Sequence, residues 1–261
     1  MNARIRSQYL RDFIKEIQYN NRNPRDTKAI KLLDDISTNP ERVLSKGTVL
    51  FRCRIIKDES QIGKEKGFYG YGAKDSFIPP SKLTKDFRAN YRYIPYLYCA
   101  NHPYIALIEV RPRLGACVSV ATIQVNELIR VLDFTVQKTP SKMTDAKKNL
   151  FADLSTLYSK PVTDDDDVLD YIPTQYIAEY AKNLGYDGIA YRSSLTPELE
   201  NQDTILYQNL DRYNVVVFNY KKCTPVKSNV VEVTLNSIEC SQTDEDMSRL
   251  DIHAPVLDMG F

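Results

Sequence analysis

The sequence predicts a single α+β domain with an N-terminal helical appendage, and three observations carry that expectation. Apolar residues recur at helical spacing only near the start and in the middle of the chain, and short runs rich in β-branched and aromatic residues fill the stretches between. Neither an internal repeat nor a flexible linker divides the 261 residues, a length that one large core can serve.

Leu10, Phe13, Ile14 and Ile17 share one face of a helix over residues 7–18, and the pattern repeats over 29–36 after the Asn-rich break at 20–23. From Thr48 the period changes, and residues 48–56 read as a strand. A Gly- and Tyr-rich loop over 67–72 follows, and Pro79 and Pro80 close it. Residues 94–100, 104–110, 117–123 and 128–134 are each short enough to be strands, with a turn or short helix at 125–126. Residues 141–158 form an amphipathic helix ahead of the acidic run 164–167. A second helix spans 170–184, with Pro173 in its first turn and Gly185 as its left-handed cap. Residues 188–194, 214–220 and 230–235 are late strands, and the polar last twenty or so residues are expected to be a partly ordered tail. The expected divisions are 1–45, 46–240 and 241–261.

Composition excludes several classes of function. With 35 basic against 34 acidic residues the net charge is +1, so no bulk field draws the chain to nucleic acid or to an acidic membrane. No apolar run approaches the roughly 20 residues of a membrane span, and the opening residues lack the apolar block of a secretory signal, so a cytoplasmic protein is expected. Cys53, Cys99, Cys117, Cys223 and Cys240 are odd in number and widely scattered, which argues against a disulfide framework or a zinc site. Only His102 and His253 could serve a Cys-His or Ser-His pair. The acidic run lacks the spacing of a cation loop and reads as solvated, so no metal is expected.

Some polar residues interrupt the apolar runs. Arg52 and Arg54 share a strand face and, taken alone, suit a solvated surface. Glu109 ends an apolar run read as a strand, where a carboxylate needs a partner or a ligand, and Arg111 offers a simple ion pair. Arginines interleaved with tyrosines over 88–100 suit phosphates and flat rings, although such tyrosines also occur in plain cores. Ser193 and Ser194 end a strand, as turn residues or as ligands in a cleft.

Taken together, Phe51-Arg-Cys-Arg, Pro79-Pro80, Arg88-Ala-Asn, Ile94-Pro-Tyr-Leu-Tyr-Cys-Ala, Glu109-Val-Arg-Pro, Gly115-Ala-Cys-Val-Ser-Val-Ala and Gly185-Tyr-Asp-Gly-Ile-Ala-Tyr-Arg-Ser-Ser resemble the RES-domain family over roughly residues 46–240. The resemblance implies a mixed β core with flanking helices related to the ADP-ribosyltransferase toxins. It also implies an NAD-consuming enzyme, often the toxin of a toxin–antitoxin pair, so NAD and a cognate antitoxin are the expected partners. By the same resemblance Arg88, Glu109 and Ser193 or Ser194 match the family's Arg, Glu and Ser, while Arg52 and Tyr98 match a second arginine and a tyrosine. Phe87, Tyr91 and Tyr93 stand where the family favours Gly, Pro and Gly.

Under that resemblance Glu109 is expected to act as a buried carboxylate that stabilises positive charge on the ribose as the nicotinamide bond breaks. Arg52 and Arg88 clamp the pyrophosphate or an incoming phosphate, Tyr98 packs on the nicotinamide, and Ser193 or Ser194 orients ribose or amide. The expected reaction is phosphorolysis of NAD with inorganic phosphate as co-substrate. A protein ADP-ribosyltransferase or NAD glycohydrolase on the same site, and an inactive module that binds a nucleotide or a partner, are the alternatives.

Overall fold

The computed structural model describes residues 5–63, 65–135, 140–160, 168–193 and 211–234. In chain order its elements are α1 (Gln8–Tyr19), α2 (Lys28–Asp34), β1 (Glu41–Leu44), β2 (Val49–Ile55), β3 (Leu97–Ala100), α3 (Pro103–Glu109), β4 (Cys117–Val125), β5 (Ile129–Asp133), α4 (Asp145–Ser159), α5 (Val168–Asn183), β6 (Gly188–Tyr191), β7 (Asn214–Val217) and β8 (Cys223–Glu232). The strands form one eight-stranded sheet in the order β1-β5-β6-β7-β3-β2-β4-β8. Only the β5–β6 pair is parallel; the others run antiparallel. That parallel step needs a long crossover, which α4 and α5 provide. The architecture is α+β, as the sequence predicts.

Local chemistry explains where elements start and stop. Ser7, Thr27 and Thr144 sit at helix N-caps, where each side-chain oxygen accepts from the backbone N–H three residues on. Gly185 adopts φ 90° and ends α5 in the left-handed region that glycine enters without steric cost. Pro173 lies further inside α5 than its first turn. A proline there has no N–H for the carbonyl four residues back, and Gln18 of α1 donates to that carbonyl, Leu169 O, at 2.9 Å.

The N-terminal helices dock through that bond and through apolar burial. Leu10, Phe13 and Ile17 are fully buried in one core with Ile177, Ala178 and Ala181 of α5 and Ile189 of β6. β1 pairs with β5 across Glu41 to Leu44, so the segment before residue 46 contributes both core and sheet. Residues 241–261 lie outside the described residues.

Two departures from the sequence expectation matter. Residues 104–110 are not a strand: Pro103 to Glu109 form a helix, capped by His102, whose Nδ1 accepts from Tyr104 N–H at 3.2 Å. Proline at the first helical position is a start signal that outweighs a short apolar run of undecided period. β8 also begins seven residues before the expected 230, despite Pro225. It is an edge strand, and its register with β4 shifts at Thr122/Ile123, beside Pro225, where a missing donor is tolerated.

Candidate active site

Glu109 owes its place to the amphipathic face of α3. Ile105, Ala106 and Leu107 bury against Cys53, Ala100, Val118 and Val120, which leaves the last residue of the helix at its open end. The expectation of a buried strand carboxylate is therefore corrected: Glu109 is solvent-exposed and borders a cleft. Its orientation comes from hydrogen bonds rather than from burial. Ser193 Oγ donates to Glu109 Oε1 at 2.6 Å, and Asn214 Nδ2 donates to the same oxygen at 2.7 Å. Among the described residues Oε2 takes no hydrogen bond, and the expected Arg111 pairing is not what holds this carboxylate.

Arg88 is held by a framework of a different kind. It sits in a tight turn in which Phe87 N–H donates to Asn90 O at 3.1 Å and Asn90 N–H to Phe87 O at 3.3 Å. Gln175 of α5 donates to both carbonyls, at 3.0 and 2.9 Å. Tyr98 OH donates to Asn90 Oδ1 at 2.7 Å and accepts from Ala89 N–H at 3.3 Å. The guanidinium is nearly buried and lies 5.2 Å from the centre of the Tyr171 ring. Tyr98 thus spends its hydroxyl on the Arg88 turn, while its ring lines the cleft. Burial pushes its phenol well above the ordinary value, so it remains a neutral donor.

Phe87 and Tyr93 show what the atypical loop costs. Phe87 packs edge-on to Tyr98 at 5.9 Å and joins the cleft wall. Tyr93 adopts φ 70°, the left-handed region where glycine is at ease and a tyrosine is strained.

Arg52 is held differently again. Its Nη1 is buried without a hydrogen-bond partner. Burial drives its pKa down to about 10, and its electrostatic neighbours are the thiols of Cys99 and Cys53 and the cation of Arg54. Burial raises the Cys53 thiol to about 12, so it stays neutral and does not balance the guanidinium. The reading of a solvated face holds for Arg54, which is exposed and stacks over Tyr71 at 4.6 Å, and fails for Arg52.

Arg52, Arg88, Tyr98 and Glu109 all line one cavity of about 440 Å³, and Ser193 reaches it through Glu109. Ser194 and the acidic run 164–167 lie outside the described residues. Sequence reasoning missed Asn214, Tyr191 and Lys160, which border the cavity together with Arg111. Asn214 carried a readable signal: a polar residue heading an Asn-Val-Val-Val strand, 4% exposed, has to satisfy a partner inside the protein. Among the described lining residues Arg52, Arg88, Arg111 and Lys160 are basic and Glu109 is acidic. No group of His, Cys, Asp or Glu among the described residues is arranged to hold a metal ion, and no helix among them is long and apolar enough to cross a membrane.

Comparison with known proteins agrees with the motif reading. No curated protein gives a match. Among solved structures, the crystal structure of the M. tuberculosis MbcT–MbcA toxin–antitoxin complex contains a similar chain, at 14% identity and a TM-score of 0.45 over 78% of this chain and 92% of that one. The model of the RES domain matches residues 64–235. That span is more than half of the chain and includes Arg88, Tyr98, Glu109 and Ser193, and the protein belongs to the RES-domain family.

Proposed function

We propose that this chain cleaves the nicotinamide–ribose bond of NAD by phosphorolysis, giving nicotinamide and ADP-ribose phosphate. One observation carries the reading. A carboxylate fixed by two donors shares a cavity with a half-buried guanidinium, that of Arg52, whose buried Nη1 has no hydrogen-bond partner in the protein. A buried cationic donor without a partner is costly to keep and calls for an anionic ligand. The pyrophosphate of NAD supplies that charge, while the cationic nicotinamide end suits Glu109.

As the C–N bond breaks, its electron pair goes to the nicotinamide nitrogen and neutralises the ring. The ribose carbon becomes electron-poor, and Glu109 Oε2 faces the developing charge or a ribose hydroxyl. Because the charge grows in the transition state, a carboxylate held in place beforehand favours that state over the ground state. A phosphate oxygen then supplies the pair for the new C–O bond. Inorganic phosphate already carries a deprotonated oxygen at neutral pH and needs no general base, whereas water would. Oε1 already accepts two hydrogen bonds, and among the described lining residues there is no second carboxylate and no histidine to take a proton from water, an arrangement better suited to an anionic acceptor than to water activation.

This reading makes the protein a cytoplasmic toxin-like enzyme that acts without a metal. Its regulator would be an antitoxin that covers the cleft, where Leu83, Phe87, Tyr93 and Ile94 expose apolar surface on the loop that carries Arg88. The test is nicotinamide release by wild type, Glu109→Ala and Arg88→Ala. Loss in both folded variants is expected, and full turnover in both would remove these residues from the site.

A further inference from the structure

Four tyrosines line the cavity: Tyr96, Tyr98, Tyr158 and Tyr191. Three of them have their hydroxyls tied back into the protein. Tyr96 OH donates to Glu179, Tyr98 OH to Asn90 and Tyr158 OH to Thr174 O. Tyr191 differs, because among the described residues its hydroxyl has no hydrogen-bond partner, nor is it sealed from solvent as an orphaned atom. A hydroxyl at a cavity wall with no protein partner is placed to meet a ligand.

The rest of Tyr191 is held firmly. It ends β6, and its register partner across the antiparallel pair is Asn214, which puts the two side chains on one face of the sheet. Asn214 is the residue that donates to Glu109, and Ser193, two residues beyond Tyr191, is the other donor. The Tyr191 ring stacks on Tyr158 at 5.5 Å and 26°, and Tyr158 in turn stacks on Phe134 at 5.5 Å and 13°. This aromatic column, anchored by the Tyr158–Thr174 bond, fixes the ring without using its hydroxyl. Burial together with the nearby Glu109 carboxylate keeps the phenol protonated, and the Arg88 cation acts on it in the opposite sense, so Tyr191 stands within electrostatic reach of both.

We propose that the Tyr191 hydroxyl is a ligand-binding donor, giving a hydrogen bond to a phosphoryl oxygen that Arg88 also attracts. A protonated phenol next to a guanidinium offers donors to an oxyanion and has no basic site with which to activate water. Two sources share this chemistry, the inorganic phosphate acceptor and the pyrophosphate of NAD. The assignment rests on the proposed NAD-cleaving site but is read from a residue that reading does not use.

Tyr191→Phe is the variant of choice, since it keeps the stacked ring and removes only the oxygen. Two measurements separate the possibilities: calorimetric binding of inorganic phosphate without NAD, and the KM values for phosphate and for NAD in nicotinamide release. Loss of a hydrogen bond to a charged group predicts roughly a tenfold or greater weakening. If the weakening falls on phosphate binding and on the phosphate KM, Tyr191 serves the acceptor; if it falls on the NAD KM alone, it serves the pyrophosphate. Wild type that binds phosphate through Tyr191 yet releases no nicotinamide would keep the anion site and overturn the NAD reading. Unchanged phosphate affinity and unchanged KM values in Tyr191→Phe, or no binding of either anion by wild type, would overturn the proposal.

Discussion

At the scale of single residues, the site separates side chains that would act on a ligand from those that hold them. Glu109 carries the proposed charge stabilisation, and replacing it by Ala is expected to lower kcat by about 10²–10³-fold, the usual cost of losing one fixed electrostatic group, without changing the circular dichroism. Ser193 and Asn214 hold Glu109, each donating to its Oε1. Arg52 carries an opposite pair of consequences. Its Nη1 is buried without a hydrogen-bond partner, so Arg52→Met should raise the thermal stability of the ligand-free protein by about 1 kcal/mol while weakening its response to phosphate or NAD. Melting curves with and without ligand check both halves, and a variant less stable in both conditions would contradict the account. The sequence named Arg52, Arg88, Tyr98, Glu109 and Ser193 through their motifs, and these residues converge on one cavity. It did not disclose Asn214 or Tyr191, because a cross-strand pairing between residues 191 and 214 is a tertiary fact that neither local pattern encodes.

At the scale of elements, α4 and the N-terminal turns meet around a buried amine. Lys147 is 1% exposed, and its Nζ donates to Asp35 O at 2.8 Å and Thr38 Oγ1 at 2.7 Å. Burial lowers its pKa from 10.5 to about 8, with Asp35 opposing the shift. The unfolded chain therefore holds this proton more tightly than the folded one. The resulting penalty is whole below about pH 8 and fades as the pH rises through 10.5. Wild type should accordingly gain stability relative to Lys147→Met across that window, read as the difference in urea midpoints; a difference that does not change with pH would remove Lys147 as the cause. The bond from Gln18 to Leu169 O makes a second prediction for this layer. Gln18→Ala removes the bond that α1 gives to this carbonyl and should cost about 0.5–1.5 kcal/mol, measured by equilibrium unfolding. The helices were legible because their apolar spacing and caps agree, as in α1 with Ser7 and α5 with Gly185. α3 was not, since seven residues of mixed apolar character fit either period and the deciding signal was the single Pro103. The first half of β8 was not legible, because lying at a sheet edge, where Pro225 is tolerated, is a tertiary fact.

At the scale of the whole molecule, one sheet and its helices bring residues 88, 109, 193 and 214 together from four separate segments. The N-terminal helices are part of that assembly. Leu10, Phe13 and Ile17 are fully buried, and at roughly 1.5–3 kcal/mol each their burial approaches the whole stability of an ordinary domain, about 5–15 kcal/mol. A chain lacking residues 1–20 is expected to lose cooperative unfolding, which a thermal melt would show. The mixed α+β layout was legible from the alternation of helical and strand patterns, whereas the strand order was not, because it depends on crossovers that sequence period does not specify. The central claim is chemical, and the most direct measurement is nicotinamide release from NAD by the purified protein with and without inorganic phosphate, following the ADP-ribose product by mass. The account predicts release that depends on phosphate and a product heavier than ADP-ribose by one phosphoryl group. Release of unmodified ADP-ribose at the same rate without phosphate, or no release under either condition, would contradict it.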